Sequence, residues 1–156
     1  MDWLQAEVYA AAASANLSRT ELYRQGLVYG VDAASIFAVE CLGVRPSHRV
    51  LDLCCAPGAK LCALSDLAAD VVGVDLSEPR LAACRTVLRK YHVGNVRLAL
   101  GDGTTWAPGT AQWFSLAKPP RGRGARARKR LRAQEPEAPP PESFDAVLVD
   151  AELGAP

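Results

Sequence analysis

The order of apolar and polar positions changes period along this chain, and the change separates two kinds of structure. Up to about residue 45 the apolar positions recur at helical spacing. Residues 2 to 15 are alanine-rich and read as a helix, and 18 to 25 read as a second one, opened by Ser18 with Glu21 three positions on, a capping-box pattern. A third helix is predicted from Ala33 to Leu42, capped by Asp32 and ended by Gly43, before Pro46 and Ser47 make a turn. From Arg49 the text becomes RVLDLCCAPGAK, a short apolar run that breaks into a Pro-Gly turn and leads into a helix-forming stretch. VVGVDLS follows, then EPRLAACRTVLRKYH with helical spacing, then VRLALGDG and, much later, FDAVLVDA. Four strands thus alternate with helices or a long connection. Continuous rather than alternating apolar strands indicate burial on both faces, as in a parallel sheet covered by helices. The fold class is α/β, with 1–45 forming accessory helices and 46–156 the main domain.

Composition adds one qualification. The chain has 156 residues, 49% of them hydrophobic, enough for one domain with its own core. The net charge of +1 conceals a segregation: Lys118 to Arg132 carries eight of the eighteen Lys and Arg and no acid, so the remainder balances at 10 − 17 = −7. This tract and the Pro- and Glu-rich text after it hold almost no large apolar residues, which marks an insertion of about 115–143 that lacks the means to build a core. Such a tract suits phosphate backbones, a localisation signal or a solvated loop, and composition leaves the three open. No apolar run is long enough for a membrane span, and Asp2 and Glu7 stand where a targeting signal would be basic, so an intracellular protein is expected, in cytoplasm, nucleus or organelle. Five cysteines without a C-x-x-C pair argue for reduced thiols rather than disulfides or zinc.

In a parallel sheet, ligands bind beyond the carboxyl ends of the strands. Each predicted strand here runs into an acid: Asp52, Asp75, Asp102 and Asp150. One such acid alone would be read as a helix cap, whereas four in register line an edge. The loop after the first strand offers only Gly58, too few glycines for a dinucleotide pyrophosphate. A phosphate-free adenosine ligand needs less: a tight turn at Gly58, an acid near the ribose, Asp75, and another near the base, Asp102. S-adenosylmethionine, whose sulfonium suits an acidic edge, fits that description.

LDLCCAPGAK, VVGVDLS, LGDGTTW and FDAVLVDA, in this order and spacing, resemble the first four methyltransferase motifs of the Sun/Nop (RsmB/Nop-type) RNA 5-methylcytosine methyltransferases. YGVDAAS, residues 29 to 35, is similar to the segment preceding that domain, and the resemblance covers roughly 20–113 and 144–151. It implies the Rossmann-like S-adenosylmethionine-dependent methyltransferase fold and an RNA substrate, tRNA or rRNA. It further implies that Ala56, Pro57, Gly58 and Lys60 surround the methionine portion, with Lys60 reaching toward the target base. Asp75 would bind the ribose, Asp102 the adenine end, and Asp150 would stand between cofactor and cytosine. Cys55, Ala59, Arg80 and Gly103 complete the implied cofactor-binding set. In that family a cysteine adds to C6 of cytosine, making C5 nucleophilic toward the methyl group. The family's fourth motif continues Asp-Ala-Pro-Cys, whereas this chain reads Asp150, Ala151, Glu152, Leu153, and Ala59 replaces a more usual glycine. The expectation is therefore a domain truncated after its fourth strand, without the catalytic cysteine, with Cys54 and Cys55 as packed thiols. A protein partner would then cover the fourth strand's free edge. A non-catalytic cofactor- or RNA-binding module and another nucleotide-cofactor enzyme, a small-molecule methyltransferase or an NAD-dependent oxidoreductase, stay open as alternatives.

Overall fold

A computed structural model describes residues 7–12, 14–116 and 142–151. The basic tract, Glu152–Pro156 and residues 2–6 of the expected first helix lie outside the described residues.

Five strands form one sheet in the order β4-β3-β2-β1-β5. These are β1 (Arg49–Asp52), β2 (Asp70–Asp75), β3 (Val96–Leu100), β4 (Gln112–Phe114) and β5 (Ala146–Leu148). The four strands expected from the sequence pair in parallel, with Val50 opposite Val71 and Ala146, and Val71 opposite Val96. The three-residue β4, which the sequence pattern does not announce, joins β3 antiparallel, with Ala99 opposite Trp113. The helices are α1 (Glu21–Arg24), α2 (Ala33–Cys41), α3 (Ala59–Leu67) and α4 (Glu78–Lys90).

Alternation along the buried strands sends side chains to two cores. On one face Val50, Val71, Val96, Leu98 and Leu148 meet Leu61 and Leu64 of α3, Leu81 and Leu88 of α4, and Ile36 and Val39 of α2. Leu61, Leu64, Leu81 and Leu88 are completely buried, each removal from water contributing roughly 1.5–3 kcal/mol. On the other face Leu51, Val72, Val74 and Ala99 are covered, among the described residues, by Leu53, Trp106, Ala111, Trp113 and Phe144 rather than by a helix. Trp106 meets Trp113 edge-on at 6.3 Å and Phe144 at 6.2 Å between ring centroids. The covering helices expected on both faces are thus seen on one, with an aromatic layer on the second.

Local chemistry explains the element ends. Asp32 accepts the Ser35 N–H at 2.8 Å and its hydroxyl at 2.6 Å, capping α2 as expected. Ser77 caps α4, where Pro79 sits in the first turn and Arg89 and Lys90 in the last, complementing the helix dipole. The N-terminal expectation needs correction. Residues 7–12 and 14–16 are not helical; alanine propensity without an apolar face to bury does not sustain a helix. The cap of α1 is Thr20, which accepts from the Tyr23 N–H, rather than Ser18, which donates to Asn16 just before a short 3-10 turn.

Candidate cofactor site

The carboxyl ends of β1, β2, β3 and β5 converge on a cavity of about 380 Å³. Its walls include Ala56 from the loop after β1, Asp75 and Arg80 around the end of β2, Asp102 and Gly103 after β3, and Asp150 after β5. These expected site residues are therefore brought together.

The β1–α3 loop is fixed mainly through backbone groups. Leu53 N–H donates to Leu148 carbonyl and Cys55 N–H to Val74 carbonyl, both at 3.0 Å. Gly58, at φ 109°, turns the chain into α3 in a region side chains disfavour, and a Cβ there would stand 3.4 Å from the Cys84 backbone. Ala56 N–H reaches Asp75 Oδ2 at 3.3 Å, while Ser77 N–H donates to Oδ1 at 3.0 Å. The Arg80 guanidinium lies 3.7 Å from Asp75 Oδ2 and donates to the Ala56 carbonyl at 3.3 Å, tying loop and acid together. Asp75 is 3% exposed, so its orientation is set by this fixed ring of donors.

Asp102 is exposed and accepts the Thr104 N–H and hydroxyl, at 2.9 and 2.7 Å; these bonds hold its carboxyl below the ordinary value. Lys60 Nζ, on the first turn of α3, pairs with Asp150 Oδ2 at 2.5 Å, although Lys60 itself does not line the cavity. Beneath, Asp52 is 1% exposed; Oδ1 accepts the Cys54 N–H at 3.1 Å, whereas Oδ2 has no hydrogen-bond partner. Burial pushes its carboxyl up to about 6, partly opposed by the Cys54 N–H and Lys60 and reinforced by Asp150 and Asp75.

Other expected residues fall elsewhere. Cys55 is buried behind the loop, where Cys84 and burial hold its thiol far above the usual range. Pro57 and Ala59 face a separate cavity of about 670 Å³ with Tyr23, Tyr29, Cys62 and Tyr91. That space is larger, but the carboxylates that define the cofactor chemistry line the smaller one. Leu53, Cys54, Leu76, Thr104, Val149 and Ala151 line it unforeseen. Their signal was proximity, since each stands within two residues of one of the four strand-end acids. The Cys54 thiol is raised by burial and by Asp52 and Asp75, the reverse of what activates a nucleophile. Among the described residues no cluster of His, Cys, Asp or Glu could hold a metal ion, and no helix is long and apolar enough to cross a membrane.

A mostly parallel sheet with acids gathered at its carboxyl edge and a single-glycine turn from β1 into α3 is the Rossmann-like methyltransferase fold, and residues 50–117 match the methyltransferase domain family. The resemblance to the RsmB/Nop-type enzymes also holds. The chain is 40% identical over 105 residues to the 5-cytosine rRNA methyltransferase NSUN4 of Xenopus tropicalis, which covers 62% of this chain and 26% of that protein. It is 36% identical over 95 residues to ribosomal RNA small subunit methyltransferase B of Pseudomonas syringae pv. tomato, covering 59% of this chain and 20% of that one. Among solved structures, a methyltransferase homolog from Pyrococcus horikoshii superposes with a TM-score of 0.53 at 28% identity, over 57% of this chain and 30% of that one. NSun6 from Pyrococcus horikoshii shares the fold, with a TM-score of 0.51 at 23% identity over 56% of this chain and 24% of its own. The chain thus spans only about a quarter or less of the length of these two curated relatives.

Proposed function

We propose that this chain is the S-adenosylmethionine-binding part of an RNA (cytosine-C5) methyltransferase acting on ribosomal RNA. The observation that carries the reading is the convergence of Asp75, Asp102 and Asp150 on one cavity floored by the β1–α3 loop. The donor set fits the cofactor. Asp75, buried and oriented by backbone N–H groups, retains lone pairs for ribose hydroxyls. Leu76, 74% exposed beside it, offers apolar area to a purine. A Cβ at Gly103 would stand 3.1 Å from the Leu53 carbonyl, so glycine there keeps the adenine end close to the sheet. When bound, the cofactor supplies an electrophilic methyl group. The protein's own contribution is electrostatic: Asp150, which lines the cavity and pairs with Lys60 behind it, would orient a base entering from that side. The tract Lys118–Arg132 supplies cationic charge for RNA phosphates.

A second reading, a binding module without transfer activity, is favoured by the raised Cys54 thiol, because cytosine C5 chemistry calls for a thiolate. Calorimetric titration of the 156-residue chain with S-adenosylmethionine, followed by a methyl-transfer assay on ribosomal RNA, separates the two. Heat with transfer supports the enzyme. Heat without transfer assigns this chain cofactor binding alone, and no heat refutes the cofactor reading.

A further inference from the structure

Asp75 and Asp150 line the cavity and Asp52 lies buried beside its lining residues Leu53 and Cys54, and the counterions of these three carboxylates are unevenly shared. Asp150 has Lys60. Asp75 has Arg80 and two backbone N–H groups. Asp52, the most deeply placed, has one N–H, from Cys54, and an oxygen with no hydrogen-bond partner. The groups that bear on it come from every neighbouring element: Lys60 from α3, Asp75 from the end of β2, Asp150 from beyond β5, and the Cys54 N–H from its own loop. Two of the three charged neighbours are acids, and the one cation is already engaged by Asp150. A buried carboxyl in such surroundings favours its neutral form until positive charge arrives.

Resting on the cofactor reading above, we infer that Asp52 is the charge-matching residue of the cavity: in mildly acidic solution it carries a proton in the ligand-free protein and gives it to solvent when a cationic ligand binds. The exchange balances simply, the carboxylic acid becoming carboxylate plus one proton taken up by buffer, with no other bond changed. Asp52 acts as a positioning residue, through the field in the cavity, and need not touch the ligand. Two consequences follow for the ligand class. S-adenosylmethionine bears a sulfonium and an ammonium against one carboxylate, whereas S-adenosylhomocysteine has lost the sulfonium charge. The substrate cofactor therefore draws out the proton more completely than the product. Discrimination in favour of S-adenosylmethionine then depends on pH, narrowing as acidity makes the proton harder to remove.

The test is calorimetry of the full chain with each ligand in two buffers of different ionisation enthalpy. Near pH 6, where burial leaves the Asp52 carboxyl half protonated, S-adenosylmethionine should release about half a proton and S-adenosylhomocysteine less. Its affinity should fall by up to about tenfold per pH unit below that point. Asp52→Asn should abolish both the buffer dependence and the slope. Buffer-independent heats in the unaltered protein, or the same proton count in Asp52→Asn, would overturn the inference while leaving cofactor binding intact; no heat at any pH overturns the cofactor reading itself. Should the Asn protein fail to fold, carboxyl-carbon NMR of the unaltered chain reads the same proton. One buried carboxyl should then titrate near 6 alone and in the ordinary range with S-adenosylmethionine, and an unmoved titration would refute the proposal.

Discussion

Adding one methyl group at Gly73 tests how the cofactor loop is seated. Gly73 lies in the middle of β2, opposite Asp52 in β1 and Leu98 in β3. A Cβ there would stand 3.0 Å from Cys55 Cβ, from Cys55 Sγ and from Leu61 Cδ1. Cys55 and Leu61 are both buried and flank the turn at Gly58, so their side chains have little free space to give way. Overpacking of this kind costs about 1–3 kcal/mol. Replacing a strand glycine returns about 0.5–1 kcal/mol through the unfolded chain. Gly73→Ala should therefore destabilise by a net of about 1–2 kcal/mol, a fall of roughly 3–8 °C in midpoint for a chain of this size. Thermal unfolding of Gly73→Ala, Cys55→Ala and the double variant gives the coupling directly. Removing Sγ relieves one of the three contacts, so the double variant should be more stable than additivity predicts by at least about 0.5 kcal/mol. Strict additivity, or a stabilised Gly73→Ala, would refute the claim that the glycine exists to admit the loop. Weaker S-adenosylmethionine binding in the same variant would extend the effect from packing to function.

The remaining expectations concern charge. Asp75→Ala should weaken S-adenosylmethionine binding by roughly 1–3 kcal/mol, the cost of leaving buried donors and ribose hydroxyls unpaired, and unchanged calorimetric affinity would remove Asp75 from the site. Folding raises the Asp52 carboxyl from 3.8 to about 6, so the native state binds the extra proton and loses stability as pH rises between those values. Asp52→Asn should accordingly stabilise the ligand-free protein by up to about 3 kcal/mol at pH 7.5 but only about 1 kcal/mol at pH 4.5; equal shifts in the two melts would contradict that origin. Deleting residues 118–132 should lower RNA affinity and flatten its salt dependence, and an unaltered slope would make the tract irrelevant to phosphate contact.

The parallel strands and the strand-end acids were legible because burial on two faces leaves largely apolar runs, VLDL, VVGVD and VRLAL, that end where the chain must turn. Asp32 and Gly43 marked α2 for equally local reasons. What escaped depends on contacts distant in sequence. Gln112–Phe114 is too short to show a period and becomes a strand only because β3 offers it an edge. Trp106 and Trp113 stand in text without a strand or helix period, yet with Phe144, from the start of the expected fourth strand, they close the second face of the sheet. Asp52 was visible as one of four acids, while its lone N–H partner and its orphaned oxygen were not, since both depend on how tightly Cys54 folds back over it. The alanine-rich start failed in the opposite direction, its propensity promising a helix for which residues 7–12 and 14–16 have too little to bury.

The two ends of the sheet are anchored independently. Arg49 N–H donates to Asp145 Oδ2 at 2.7 Å and Asp145 N–H to the Arg49 carbonyl at 2.9 Å, a reciprocal clasp that sets the entry of β5 beside β1. At the far edge Arg85 lies 5.0 Å from the Phe114 ring centroid and donates to the Ser115 carbonyl at 3.4 Å, mooring the exit of β4. From β4 to β5 is four strand spacings, about 19 Å, which about six extended residues would bridge. The chain provides many more, and halving such a connection alters its closure free energy by only about 0.6 kcal/mol. Asp150 therefore keeps its register whatever the length of the segment before it. That stretch can lengthen, shorten or change its charge without disturbing the cavity it leads into.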